Sequence, residues 1–262
     1  MTKTILITGA TDGIGQLTAK KLAAAGHCVL LHGRSPEKLE ATARDIGGTT
    51  ETYIADLSDI SAVKALAAEI LSKHDRLDVL INNAGVLKAP HPVLDNGLDI
   101  RFVVNTFAPY LLTELLLPII PAAGRVVNLS SAAQARVNLD AMAGNDRLAD
   151  MDAYAQSKLA ITIWTQEMAG RLPNGPVVVS VNPGSLLASK MVKEGFGIAG
   201  SDLNQGADIL IDAALGDRFA ARSGAYFDND SGAFAEPHAA AQEAGHVAAV
   251  MAGINDFMRD HG

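Results

Sequence analysis

The sequence predicts an α/β domain in which helices cover both faces of a parallel sheet of about seven strands. Short apolar runs alternate with segments of helical periodicity along nearly the whole chain, an order typical of parallel sheets. The length of 262 residues, 48% of them hydrophobic, suits one large domain with a sizeable core. We therefore expect a single domain over residues 1–262.

Composition restricts the classes of partner. The formal net charge is -8, and an acidic surface argues against nucleic acid and anionic membranes. Cys28 is the one cysteine, so no disulfide can form within the chain. Strand-forming residues begin at position 4, and the most apolar span, residues 107–123, is short for a membrane helix. We expect a cytoplasmic protein with no signal peptide, no membrane association and no metal ion.

The first strand–turn–helix unit carries a glycine-rich turn. Apolar residues 5–7 predict a buried strand, and helical spacing follows the turn. Between them, Gly9, Gly13 and Gly15 let the backbone come close to a bulky anion, and the helix N-terminus offers free N–H groups to a pyrophosphate. In this position the glycines predict a dinucleotide site rather than an ordinary turn.

The end of the second strand, predicted over residues 27–32, bears on the choice of cofactor. Ser35 can cap the next helix, with Pro36 in its first turn. An acidic residue at this strand end selects NAD, whereas an arginine accommodates the 2′-phosphate of NADP. Arg34 follows the strand and no acidic residue does, so we expect a preference for NADP(H). A solvated loop charge is the alternative interpretation of Arg34.

The third and fourth strands are predicted over residues 50–55 and 77–81, with an amphipathic helix over 61–74 between them. Asp56 could accept a hydrogen bond from an adenine amino group or could serve as a loop residue before the helix. The fourth strand ends in residues 82–85, Asn-Asn-Ala-Gly. Ligands of such sheets bind at the carboxyl ends of the strands.

A long helix is predicted over residues 98–119, followed by a fifth strand over 125–129 that ends in Ser130 and Ser131. Asn105 interrupts the apolar face of the helix. A buried helical asparagine needs hydrogen-bond partners, so Asn105 is either a structural bridge or part of a site.

The polar segment 134–150 has little periodicity and is interpreted as an insertion over the active-site side of the sheet. A helix then opens at residues 151–158 and runs to about residue 171. Tyr154 and Lys158 are four residues apart and share one face of this helix. A fixed ammonium lowers the pKa of a neighbouring phenol, which makes it a competent general acid. An ordinary surface pair has the same spacing.

The sixth strand is predicted over residues 177–181 and is followed by Asn-Pro-Gly at 182–184. Segment 185–203 mixes apolar residues, lysines and glycines, as expected of a mobile lid over a substrate. The remaining predicted elements are a helix over 204–215, a strand over 225–227 and a helix over 247–259.

Six motifs in this order resemble those of the short-chain dehydrogenase/reductase family. Each is weak alone, but six together at compatible spacings are highly specific, and the resemblance covers nearly the whole chain. The motifs are Thr8-Gly9-x-x-x-Gly13-x-Gly15, Asn82-Asn83-Ala84-Gly85, Val104-Asn105, Asn128-Leu129-Ser130-Ser131, Tyr154-x-x-x-Lys158 and Asn182-Pro183-Gly184.

In detail the chain is most similar to the retinol-dehydrogenase-like branch of the family. The similarity lies in segments 102–118 and 225–228 and in the long spacing from Ser131 to Tyr154. Ala108 departs from the glycine usual at its position. The N-terminal membrane anchor common in animal members is not expected here, which disfavours lipid-embedded retinoid substrates.

The resemblance implies a role for each matching residue. Tyr154 would donate a proton to the substrate oxygen during reduction and accept it during oxidation, and Ser131 would hold the substrate carbonyl. Lys158 would bind the nicotinamide ribose and lower the pKa of Tyr154, and Asn105 would hold a water that links Lys158 to solvent. The residues expected to bind the cofactor are Gly9, Thr11, Asp12, Gly13, Ile14, Gly15, Arg34, Ser35, Asp56, Leu57, Asn83, Ala84, Gly85, Tyr154, Lys158, Pro183 and Gly184.

The resemblance thus implies a Rossmann fold and hydride transfer between NADP(H), or NAD(H) as the alternative, and a small hydrophobic carbonyl or alcohol. A non-catalytic NADP(H)-binding sensor or scaffold is the competing function, although it has no need for Ser131, Tyr154 and Lys158 together. A nucleotide-sugar epimerase fits less well, because the glycine spacing differs and the chain is short. A homo-oligomer is compatible, since helices starting near residues 98 and 152 commonly form dimer faces in relatives.

Overall fold

The protein is described by a computed structural model over residues 1–185, 187, 200 and 202–261. Its strands form one sheet, parallel except for the last pair. They are β1 (Thr4–Ile7), β2 (Cys28–Gly33), β3 (Thr50–Ile54), β4 (Val79–Asn82), β5 (Arg125–Leu129), β6 (Val177–Asn182), β7 (Tyr226–Asp228) and β8 (Ala233–Ala235).

The order across the sheet is β3-β2-β1-β4-β5-β6-β7-β8. The predicted doubly wound Rossmann architecture is confirmed, with eight strands among the described residues where about seven were expected. The additional strand, β8, has only three residues and pairs antiparallel with β7. Gly232, with φ of 68°, turns the chain between them. A run of three residues is too short to produce a period-two signal in the sequence.

The helices cover the sheet on both sides. They are α1 (Gly13–Ala24), α2 (Pro36–Ile46), α3 (Ile60–Lys73), α4 (Ile100–Phe102), α5 (Ala108–Leu116), α6 (Leu139–Met142), α7 (Asp150–Arg171), α8 (Leu203–Leu215) and α9 (Ala244–His261). As predicted, the Ser35 side chain caps α2, where it accepts a hydrogen bond from Lys38 N.

Alternating side chains of the strands divide the core into two layers. In β1, Leu6 packs into the layer that contains α3, α5, α7 and α9, whereas Ile5 and Ile7 pack into the layer that contains α1 and α8. All three side chains are completely buried. The apolar runs seen in the sequence are therefore strands buried on both faces, as parallel sheets require.

The helix predicted over residues 98–119 begins at Ile100, after the cap formed by Asp99, and is not regular. A π-helical turn, Val103–Phe107, separates α4 from α5 and contains Asn105. The span Ile100–Ile119 is long and apolar enough to cross a membrane, but 72% of its most apolar window is buried inside the fold. This burial agrees with the prediction of a core helix.

The two predicted irregular segments differ in how far they can be described. Segment 134–150 contains the short helix α6, which is capped by Asn138 and packs near α9. The proposed lid, 185–203, lies mostly outside the described residues.

Candidate active site

A cavity of about 680 Å³ lies at the carboxyl end of the sheet, beside the neighbouring strands β1 and β4. The order of the strands reverses its direction between these two. Every residue predicted to bind the cofactor lines this cavity. Of the four predicted catalytic residues, Ser131, Tyr154 and Lys158 line it, and Asn105 lies behind the wall. A crevice at such a switch point is where open α/β sheets bind their ligands.

The glycine loop packs so tightly on the β4 end that side chains are excluded. A Cβ atom at Gly15 would collide with Asn83 Nδ2 and with Gly9 O. Asn83 Nδ2 donates to Thr8 O at 2.8 Å and to Gly9 O at 3.0 Å, which fastens the two loops together. The N-terminus of α1 therefore faces the cavity, and the glycines leave its backbone uncovered by side chains. This arrangement fits a pyrophosphate.

Asp12 is the N-cap of α1. Its carboxylate accepts a hydrogen bond from Gly13 N at 2.7 Å while the residue lines the cavity. Gly13, with φ of 54°, adopts the left-handed conformation that glycine tolerates best.

The adenosine end of the cavity is basic. Arg34 and Lys38 are exposed and, with the half-buried Ser35, line the cavity beside the first turn of α2. Lys38 was not predicted as a site residue, although it is a second cation one helical turn after Arg34. Asp56 also lines the cavity and accepts hydrogen bonds from Ser58 N and Oγ, at 2.9 and 2.7 Å. Both interpretations of Asp56 from the sequence are thus compatible with its position.

His32 is a buried wall residue that the sequence analysis did not identify. Its Nδ1 accepts a hydrogen bond from Gly9 N at 3.2 Å, and its Nε2 lies 3.1 Å from Ala55 O. Desolvation lowers the pKa of His32 to about 4, so the ring is neutral at pH 7. The sequence did offer one signal for His32, since it is a polar residue near the carboxyl end of an otherwise apolar strand.

Three side chains from two elements meet at the other end of the cavity. Lys158 Nζ lies 5.6 Å from the centre of the Tyr154 ring and donates to Leu129 O at 2.7 Å. Ser131 lines the cavity beside them and lies close enough to the Tyr154 hydroxyl to lower its pKa. Tyr154 and Lys158, one turn apart on α7, thus share the cavity with Ser131, which lies after β5.

The expected lowering of the Tyr154 pKa by Lys158 is not seen. Burial raises the pKa of Tyr154, and the nearby Ser131 side chain opposes that rise. Burial also lowers the pKa of Lys158 to about 8. Loss of hydration outweighs the stabilisation that the sequence argument assigned to the ammonium group.

Asn105 links three parts of the site through its side chain. Its Nδ2 donates to Val86 O and to Ser157 Oγ, both at 2.9 Å, and its Oδ1 accepts from Val86 N at 2.8 Å. Ser157 Oγ in turn donates to Tyr154 O at 2.7 Å. The side chain is a structural bridge between the loop after β4 and α7, and its role in holding a water stays a prediction.

Part of the cavity wall is apolar. Lys88, an exposed cation, also lines the cavity. The apolar residues here are Val86, Leu87, Ile100, Val104 and Met151.

The glycine loop, the parallel sheet and the Ser131–Tyr154–Lys158 group together define a dinucleotide-binding protein of the short-chain dehydrogenase type. A family model described as short chain dehydrogenase matches residues 3–196. The chain belongs to this family and to its retinol-dehydrogenase-like branch, as the sequence motifs indicated.

Two relatives support the branch. The chain is 39% identical to retinol dehydrogenase 13 of Homo sapiens over 193 residues, which cover 70% of this chain and 58% of that protein. It is 34% identical to retinol dehydrogenase 12 of Mus musculus over 246 residues, covering 87% of this chain and 78% of that one. The match thus spans less than two thirds of the human protein.

Solved structures support the fold. An uncharacterised protein from Mycobacterium Paratuberculosis superposes with a TM-score of 0.82 at 31% identity, covering 98% of this chain and 93% of that one. A short chain dehydrogenase from Shigella flexneri 2a str. 301, complexed with NADP, gives a TM-score of 0.69 at 30% identity, covering 87% and 96%.

Proposed function

We propose that this protein is an NADP(H)-dependent oxidoreductase that interconverts a carbonyl and an alcohol on a small hydrophobic substrate. The observation that carries the proposal is that Ser131, Tyr154 and Lys158 share one cavity with the glycine loop and Arg34. The names of the retinol dehydrogenase relatives and the NADP complex of the bacterial relative support it.

In reduction, the Tyr154 hydroxyl gives its proton to the substrate oxygen, while Ser131 Oγ donates a hydrogen bond to the same oxygen. The nicotinamide cofactor, when bound, supplies the hydride. Lys158 stabilises the phenolate left on Tyr154. In alcohol oxidation, the Tyr154 phenolate takes the proton back.

The pH dependence of each direction of the reaction follows from the protonation of Tyr154. Because burial raises the pKa of this phenol, it is protonated at neutral pH and is ready to act as an acid. We therefore expect carbonyl reduction to be insensitive to pH near neutrality and alcohol oxidation to increase as the pH rises. Rates measured in both directions from pH 6 to 10 test this expectation, and oxidation that is fastest at acidic pH would contradict it.

The catalytic role is tested by NADPH consumption with a panel of aldehydes and ketones. We expect Tyr154→Phe to abolish turnover while the affinity for NADPH, measured by calorimetry, stays close to that of the wild type. Retained turnover in this variant would refute the role of Tyr154 as proton donor. NADPH binding without turnover on any member of the panel would favour the sensor or scaffold.

The cofactor preference is tested at the basic end of the cavity. A charge-assisted hydrogen bond contributes about 1.5–3 kcal/mol, so we expect Arg34→Ala to raise the KM for NADPH by about 10- to 100-fold and to leave the KM for NADH unchanged. Lys38→Ala should act in the same direction. The preference is wrong if NADH serves as well as NADPH and Arg34→Ala changes neither constant.

We also propose a cytoplasmic location without membrane insertion, which the burial of the Ile100–Ile119 span supports. Fractionation of cells that express the chain tests it, and recovery in the membrane pellet after a high-salt wash would contradict it.

A further inference from the structure

Two side chains from outside the predicted site hold the main-chain carbonyl of Ser131. Gln134 Nε2 donates to Ser131 O at 2.9 Å, and the Tyr226 hydroxyl donates to the same oxygen at 3.1 Å. The Gln134 side chain also lies close enough to the Tyr226 hydroxyl to affect its pKa. Two side-chain donors thus converge on one carbonyl oxygen.

Both donors are themselves fixed. Tyr226 lies on β7 opposite Ser180 of β6 and is only 6% exposed. Gln134 Oε1 accepts a hydrogen bond from His238 N at 3.0 Å, which determines that the amide nitrogen faces Ser131. The carbonyl of Ser131 cannot shift without breaking contacts to β7 and to the segment before α9.

Fixing this carbonyl also orients the Ser131 hydroxyl. Ser131 Oγ accepts a hydrogen bond from Ala133 N at 3.1 Å. One lone pair of the hydroxyl is thereby engaged on the loop side, and the hydroxyl lies close enough to Tyr154 to lower the pKa of the phenol. A rotation of the Ser131 main chain would swing the hydroxyl away from the phenol.

We propose that Tyr226 and Gln134 are positioning residues that act through Ser131 and hold its hydroxyl against Tyr154. Neither is among the described residues that line the cavity, so they reach the reacting atoms only through the serine. The inference rests on the proposed function, since it assumes that Ser131 and Tyr154 act together on the substrate oxygen.

The surroundings of Tyr226 suit a permanent donor. Burial, together with the nearby Asp228 and Asp230, raises the pKa of Tyr226 well above its usual value. Its hydroxyl therefore keeps its proton over the whole range in which the enzyme can be assayed, and Tyr226 cannot replace Tyr154 as the exchanging acid.

A double-mutant cycle separates positioning from general stability. We expect Tyr226→Phe to lower kcat by about tenfold, the usual effect of one misplaced hydrogen bond, and to leave the KM for NADPH unchanged. Gln134→Leu should act in the same way. In the Ser131→Ala background, Tyr226→Phe should cause no further loss, because the hydroxyl that it positions is absent.

A second readout needs neither substrate nor cofactor. The chain has four tyrosines, so tyrosine ring carbons labelled with ¹³C can be assigned with single Tyr→Phe variants and titrated by NMR. We expect Tyr226→Phe to raise the pKa of Tyr154 as Ser131→Ala does, since the first displaces and the second removes the Ser131 hydroxyl that lowers it. The matched control is Tyr53→Phe, which removes a hydroxyl bonded to His74 and Glu51 from a buried tyrosine that is not among the described residues lining the cavity.

Two results would overturn the proposal. One is an unchanged pKa of Tyr154 in Tyr226→Phe; the other is an equal loss of kcat in the wild-type and Ser131→Ala backgrounds, which would indicate a purely structural tyrosine. Failure of the proposed function is distinguishable, because no substrate would then turn over while the NMR titration still reports on the Ser131–Tyr154 contact.

Discussion

The ammonium group of Lys158 lies 2.7 Å from the carbonyl oxygen of Leu129, and only 3% of this lysine is exposed. Burial lowers the pKa of Lys158 to about 8, whereas an unfolded lysine keeps its proton to about pH 10.4. The folded state binds fewer protons between these values, so stability increases as the pH rises through them and the cost of the buried charge is fully present at pH 7. We therefore expect the buried ammonium group of Lys158 to destabilise the fold at pH 7.

Lys158→Met should accordingly abolish turnover and raise the free energy of unfolding at pH 7. We expect a gain of about 2 kcal/mol, the relieved desolvation less the lost hydrogen bond to Leu129. Urea unfolding measures it, with Lys20→Met, an exposed lysine paired with Asp45, as the control that stays near zero. A loss of stability in Lys158→Met would show that the buried ammonium is well compensated.

His32 makes the fold sensitive to acid. Its pKa is lowered from 6.5 to about 4 by burial, so the unfolded state binds more protons between these values. The stabilisation is fully present above pH 6.5 and is lost as the pH falls toward 4, by about 3 kcal/mol.

Comparing wild type with His32→Gln in urea at several pH values between 7 and 4 tests this. The variant should lose less stability across the window, and equal slopes would contradict the assignment. Asp78, whose pKa is lowered by Arg76, Lys3 and Thr4 N, loses its contribution at lower pH and does not confuse the comparison.

Gly15 has a steric reason to be glycine. A Cβ at this position collides with Asn83 Nδ2 and Gly9 O, so Gly15→Ala must push the glycine loop away from the end of β4. We expect a loss of about 1–3 kcal/mol in stability and markedly weaker NADPH binding, measured by urea unfolding and calorimetry.

The matched control is Gly170→Ala, in an exposed position of α7 with no atom within 4 Å of its added Cβ. It should stabilise the helix by about 0.5–1 kcal/mol. Equal changes in stability and in NADPH binding for Gly15→Ala and Gly170→Ala would contradict the steric explanation for Gly15.

Asn105→Ala removes three hydrogen bonds, one buried and two partly buried, and leaves both main-chain groups of Val86 without their partner. Unpaired buried groups cost about 1–3 kcal/mol each, so we expect a loss of about 2–4 kcal/mol and a higher KM for NADPH, because Val86 follows the cavity-lining residues 83–85. Asn204→Ala, at an exposed position of α8, should stay within about 0.5 kcal/mol. A stable Asn105→Ala with an unchanged KM would mean that the bridge has no effect on the loop.

The elements with strong local signals were predictable from the sequence. Strand β5, Arg125–Leu129, has the bounds expected from its apolar run, and Ser35 caps α2 as its position before Pro36 indicated. Strand β8 and the π-helical turn around Asn105 were missed. Neither is a local property: β8 exists through pairing with β7, and the turn at Asn105 is engaged by Val86 and Ser157 from other elements.

What the sequence determined by itself is the order of the elements, the membership in a family and many of the residues that line one cavity, because periodicity and motif spacing are properties of neighbours along the chain. Only the tertiary structure determined the pKa values of the site residues and the contacts that hold those residues in place. Whether Tyr154 gains or loses acidity depends on how much water the fold removes, and the contacts of Gln134 and Tyr226 with Ser131 join residues up to 95 positions apart. Burial and long-range contacts arise from packing, and no local pattern encodes them.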